Sequence, residues 1–178
     1  MIALATALAS LAGCGSDQPP SAARAVDFEA LARTPGPLGL LYRRPGQLLD
    51  GGPAAFRRQL TQLKGRPVVV NKWASWCGPC RYEFPFFQKQ AAKRGRGVAF
   101  FGVDGEDTRG AAHKFLRRFP VPYPSFFDPH SKIAAVFRGD RVFPTTAYYD
   151  SKGTLVYTKQ GGYASEAVLE KDIARWAR

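Results

Sequence analysis

The chain has 178 residues, enough for one ordinary domain and short of two. With 45% hydrophobic and 22% charged residues it sits near the globular average, which excludes wholesale disorder and fibrous architecture. Its net charge of +12 divides evenly, +6 over residues 1–89 (11 basic, 5 acidic) and +6 over residues 90–178 (15 and 9), so it lacks the basic stripe or tail of a nucleic-acid binder.

No apolar run reaches the roughly 20 residues of a membrane-spanning helix. Residues 1–13 are uncharged and mostly apolar, with the length of a secretory hydrophobic region. They end in Leu11-Ala12-Gly13-Cys14, which resembles the bacterial lipoprotein box. That resemblance implies cleavage before Cys14 and a lipid on its sulfur. No basic segment precedes the stretch, which is consistent with a start upstream of Met1. Ser16 to Ala25 then reads as a flexible tether.

Pro/Gly-rich residues 34–53 read as a loop region. Phe56, Leu60 and Leu63 recur at helical spacing and predict a helix over Pro53–Lys64. The β-branched apolar run Val68–Trp73 predicts a buried strand. A helix is expected from about Cys80, kinked at Pro85. Val98–Asp104 reads as a second buried strand, and Thr108–Phe119 as an amphipathic helix burying Ala112, Phe115, Leu116 and Phe119. A short strand at Ser125–Asp128 and a short helix at Ser131–Phe137, capped by Ser131, follow. Val142–Tyr149 alternates as a strand, Ser151–Gly153 turns, Thr154–Lys159 completes a hairpin, and Ser165–Arg175 closes the chain as an amphipathic helix. The order β-α-β-α-β-β-α implies an α/β fold, a mixed sheet with helices on its faces.

The chemistry concentrates in Trp76-Cys77-Gly78-Pro79-Cys80. Two cysteines three apart, where a strand hands over to a helix, sit beside unpaired backbone N–H groups and the positive end of the helix dipole. Both favour thiolate over thiol. Cys77, ahead of the first turn, is expected to be the more exposed nucleophile. Cys80, inside the helix, is expected to be shielded and to resolve the mixed disulfide. Three other readings of the pair stand beside this one. A zinc site would need Cys14, His113 and His130 at irregular spacings, a structural disulfide would close only a small loop, and the pair could carry copper.

The run Val68 to Pro85 resembles the TlpA/ResA group of the thioredoxin superfamily. The resemblance covers about residues 50–176 and implies a thioredoxin-like fold with a helical insertion, here about residues 105–130. It gives Glu83 the place of the acidic residue in the group's Cys-x-x-Cys-x-x-Glu-x-Pro motif, as a proton relay for Cys80. Asn71 stands where cytoplasmic thioredoxins carry a buried aspartate. Pro144, 64 residues beyond Cys80, matches the cis-proline that faces the cysteine pair. Phe143 would then offer its backbone to an extended substrate, alongside Trp76, Gly78 and Pro79.

Together these readings describe a signal peptide over residues 1–13, a tether and N-terminal extension over 14–49 and a thioredoxin-like domain over 50–178. The expected activity is extracytoplasmic, lipid-anchored thiol–disulfide oxidoreduction. It would reduce exported proteins, apocytochrome c among them, or alternatively oxidise or isomerise their disulfides. No cofactor beyond the Cys77–Cys80 disulfide and no metal is implied. The expected partners are disulfide-bearing exported proteins, a membrane thiol donor and the membrane itself, with no nucleic acid, for a monomeric chain.

Overall fold

The structure, a computed structural model, describes residues 28–178. The hydrophobic leader, Cys14 and the tether from Ser16 to Ala25 lie outside the described residues. The elements run α1 (Phe28–Ala32), α2 (Pro37–Tyr42), β1 (Leu48–Leu49), α3 (Gly52–Gln62), β2 (Val68–Trp73), α4 (Gly78–Arg94), β3 (Ala99–Gly105), α5 (Arg109–Arg118), β4 (Ser125–Asp128), α6 (Lys132–Val136), β5 (Thr145–Tyr149), β6 (Leu155–Gln160) and α7 (Glu166–Trp176). The strands form one sheet in the order β1-β4-β3-β2-β5-β6. The first four are mutually parallel, and β5 and β6 are antiparallel to their neighbours.

Strand β2 is buried along its whole length, so its alternating side chains feed two cores. On one face Trp73 stacks on Phe115 of α5 at 4.8 Å and meets Phe84 of α4 edge-on at 5.3 Å. On the other, Phe56 of α3 gathers Phe101, Phe126, Phe137 and Tyr149 around its ring. Gly102 of β3 is required by close approach: a Cβ there would collide with Ser125 Oγ and Trp73 Nε1. Without it the indole N–H donates to that hydroxyl at 3.0 Å.

Three expectations need correction. Residues 34–53 are not simply loop, since they hold α2, β1 and the start of α3. Leu38, Leu41 and Tyr42 of α2 are buried, and the Tyr42 hydroxyl donates to Val98 O and accepts from Phe100 N. Helix α4 runs from Gly78 to Arg94 through Pro85, which lies on its exposed side, where the carbonyl left without an N–H can face water. Ser131 does not cap α6 through its side chain but has a left-handed backbone. The buried Asp128 carboxylate, delivered by the end of β4, accepts from Ile133 N at 3.0 Å and Ala134 N at 2.9 Å instead. Finally, β5 begins only at Thr145 and is buried throughout rather than alternating, because it lies between β2 and β6.

The segment over residues 105–130 is also more than a helical appendage. Its helix α5 supplies Phe115 to the core, and its strand β4 enters the sheet between β1 and β3.

Candidate functional site

The parallel strand β2 ends at Trp73, and four residues carry the chain from there to α4. Ser75 fixes the path: its N–H and hydroxyl donate to the two carboxylate oxygens of Asp107 at 2.6 and 2.9 Å. The Arg81 guanidinium returns from the first turn of α4 to the Ser75 carbonyl. Cys77 is the N-cap of α4, and its Sγ accepts from the Cys80 N–H at 3.1 Å. Gly78 and Pro79 form the exposed first turn, and Cys77 and Cys80 are joined as a disulfide. Cys77 is 3% exposed and Cys80 0%, so the expected asymmetry holds in direction, but Cys77 is itself buried in the disulfide form.

Around the pair stand the other expected residues. The Phe143–Pro144 peptide is cis and Pro144 is buried. The Phe143 backbone makes no hydrogen bond among the described residues. Trp76 is 53% exposed; its indole N–H donates to Glu106 O at 2.9 Å and its ring lies 4.8 Å from that of Phe143. Trp73 is fully buried and belongs to the core rather than to this surface.

Glu83 is fully buried rather than an exposed helix glutamate. Its Oε1 accepts from Asn71 Nδ2 at 2.9 Å and its Oε2 from Tyr163 N at 2.9 Å. A Cβ placed on Gly162 would lie 3.6 Å from Glu83 Oε2, Pro144 Cγ and Pro79 Cβ alike, so these groups share one small space. Burial pushes the Glu83 carboxyl up to about 7, against the pull of Tyr163 N–H, Asn71 and the Lys159 charge. A carboxyl balanced there can take or give a proton at neutral pH.

Two buried groups escaped the sequence reading. Lys72 is 0% exposed, with Nζ donating to Gly139 O at 2.7 Å and Asp140 O at 3.2 Å, and lying 3.5 Å from the centre of the Phe143 ring. Burial lowers its pKa against the attraction of Glu106, Asp128 and Asp140. It holds the loop before the cis-proline much as Lys159 holds Gly161 O and Gly162 O on the other side. A charge inside an otherwise apolar strand run was the available signal, since a buried ammonium needs acceptors. Asp104 is the second: burial, then the Asp107 charge, raise it to about 9. Its oxygens find no donor among the described residues, and protonated it can donate towards Asp107.

Lys72→Met leaves the Gly139 and Asp140 carbonyls without their donor. The expected loss is about 1–3 kcal/mol of unfolding free energy. Urea unfolding measures it, and an unchanged midpoint would show that the ammonium is dispensable.

The Redoxin family profile matches residues 49–173. The thiol:disulfide interchange protein DsbE of Pseudomonas fluorescens biotype C is 34% identical over 119 residues, 66% of this chain and 65% of that protein. The thiol-disulfide oxidoreductase ResA of Bacillus subtilis (strain 168) is 29% identical over 106 residues, 59% of each chain. Both matches span less than two thirds of the relatives' own length. A structure assigned as the thiol:disulfide interchange protein DsbE of Chlorobium tepidum superposes with a TM-score of 0.60 at 30% identity, covering 65% of this chain and 83% of that one.

Proposed function

The chain belongs to the Redoxin family, and from that premise we propose that it is a thiol–disulfide oxidoreductase of the ResA/DsbE kind that reduces disulfides in exported proteins. The observation that carries this reading is the Cys77–Cys80 disulfide at the N-terminus of α4, whose Pro79 shares one small space with the cis-proline Pro144 and the buried carboxyl of Glu83.

In the reduced chain, the Cys80 N–H and the helix dipole favour the Cys77 thiolate. That thiolate attacks a substrate disulfide; a Cys77–substrate S–S bond forms, and the departing substrate thiolate takes up a proton. Glu83 accepts the Cys80 proton. The Cys80 thiolate then attacks Cys77 Sγ, closing the Cys77–Cys80 disulfide, and the second substrate sulfur leaves as a thiolate that takes up a proton. Two electrons pass from the dithiol to the substrate, and a thiol donor must restore them. The free N–H and C=O of Phe143 suit an extended substrate segment, with Trp76, Gly78, Pro79 and Pro144 around it.

The reading extends to location and partners. Cys14 carries a lipid that holds residues 50–178 outside the cytoplasm through the preceding segment, electrons come from a membrane thiol donor, and apocytochrome c is among the substrates. Support comes from the sequence before Cys14 and the likeness to DsbE and ResA. Among the described residues no helix is long and apolar enough to cross a membrane.

With dithiothreitol as electron source, the chain is expected to accelerate reduction of a protein disulfide. Failure there, with oxidation of a reduced unfolded protein by the disulfide form, would make it an oxidase instead. Labelled fatty acid should enter the expressed chain and be lost with Cys14→Ala; incorporation that survives the substitution would remove the anchor.

A further inference from the structure

The cations of α4 fall into two groups. Towards its C-terminal end Lys89 pairs with Glu166, and Lys93 and Arg94 share Glu170. At its N-terminal end the situation reverses. A groove of about 350 Å³ lies between the start of α4 and α5, with exposed Arg81, Lys114 and Arg118 around it and Phe115 and Phe119 in its lining. No carboxylate lines it, and none of its three cations forms an ion pair among the described residues.

Two features separate this groove from the generally basic surface. Arg81 is not a free side chain: its Nε and Nη2 both donate to Ser75 O, at 3.1 and 2.7 Å, so its charge is held in place before any ligand arrives. The groove also adjoins the redox loop at both ends, with Ser75 two residues before Cys77 and Arg81 next after Cys80. Its other wall is α5, from the segment that adds a helix and a strand to the sheet.

We propose that this groove binds an acidic segment of the substrate protein, flanking the disulfide that Cys77 attacks, with carboxylates on Arg81, Lys114 and Arg118 and an apolar side chain against Phe115 and Phe119. The inference rests on the oxidoreductase reading and specifies its substrate class. Charge complementarity carries it: three cations without ion pairs among the described residues, in a groove also lined by Phe115 and Phe119, match an anionic, partly apolar peptide. The contribution is electrostatic and exposed, so it raises kcat/KM and fades with salt as the screening length falls from about 30 Å at 0.01 M to about 3 Å at 1 M.

The test uses single-turnover reduction by the dithiothreitol-reduced, desalted full chain. The substrates are two disulfide-bridged peptides that differ only in Asp/Glu against Asn/Gln beside one cysteine, with bis(2-hydroxyethyl) disulfide as an uncharged small substrate. The acidic peptide is expected to react about tenfold faster at low salt, from two or three exposed ion pairs. Lys114→Glu with Arg118→Glu should bring that ratio to one or below. Lys152→Glu with Lys171→Glu, the same charge change on exposed residues elsewhere, should keep it. Equal rates for the two peptides, or a preference that survives the groove substitutions, would overturn the proposal while leaving the oxidoreductase reading in place. Failure to reduce even the small disulfide would overturn both. Binding to phosphatidylglycerol vesicles that the same substitutions abolish, without a peptide preference, would give the groove to the membrane instead.

Discussion

Cys77→Ser is expected to abolish disulfide reduction, by about 10³-fold or more, whereas Cys80→Ser should complete the first half of the reaction and stop there. The reasons differ. Cys77 is the N-cap of α4, outside its first turn, and a serine hydroxyl at the same point is not ionised at neutral pH, so no nucleophile remains. Cys80 is fully buried within that turn, where it meets Cys77 rather than an incoming protein. Without it the Cys77–substrate bond forms and has no nearby thiolate to break it. Mixed disulfides should therefore accumulate with Cys80→Ser, visible as thiol-sensitive adducts on non-reducing gels, and their identification by mass spectrometry names the substrates. Recovery of haem-binding apocytochromes supports the maturation role, and a broad set of exported proteins argues against it. Adducts with Cys77→Ser but none with Cys80→Ser would reverse the assignment of the two cysteines.

How far the sequence exposed this site depended on the range of each interaction. Strand β2, helix α5 and the cysteine spacing were legible because periodicity and short motifs act over a few residues. Elements shorter than such a window were not: α2 has six residues and β1 has two, and both are held by distant contacts such as Tyr42 to Val98. The cap of α6 was misread for a related reason. Ser131 is a good capping residue locally, but the sheet delivers Asp128 to the same N–H groups, and the carboxylate takes them. The resemblance pointed to Glu83 and to a cis peptide at Pro144, and that peptide is cis. It did not reveal that Glu83 is fixed by the N–H of Tyr163, 80 residues away, or that Phe143 rests on a buried lysine. Those partners meet only after β6 and the cis-proline loop close over the ends of the strands.

Glu83→Gln should change both the stability profile and the rate, because both follow the titration of this one carboxyl, in opposite directions as pH rises. The folded carboxyl is raised from 4.5 to about 7, chiefly by burial. A raised carboxyl holds its proton more tightly in the folded chain than in the unfolded one. The stability linked to it is therefore complete below the unfolded value and is lost as pH rises through the folded one. At about 1.4 kcal/mol for each pH unit, the shift corresponds to a loss of about 3 kcal/mol between pH 4.5 and pH 8. Glutamine cannot ionise, so urea unfolding of the disulfide form across that range should show the decline in the parent chain and its absence in the variant. Glutamine can still satisfy the site: its carbonyl can accept from Tyr163 N–H, and its amide can donate to Asn71 Oδ1, which has no partner among the described residues. The kinetic effect then comes from proton transfer rather than misfolding. Loss of a positioned general base is expected to slow the Cys80 step by about 10²-fold and to erase a rate inflection near pH 7. A variant with parental rates and the parental inflection would leave Glu83 as a buried structural carboxyl, with the Cys80 proton passing to solvent.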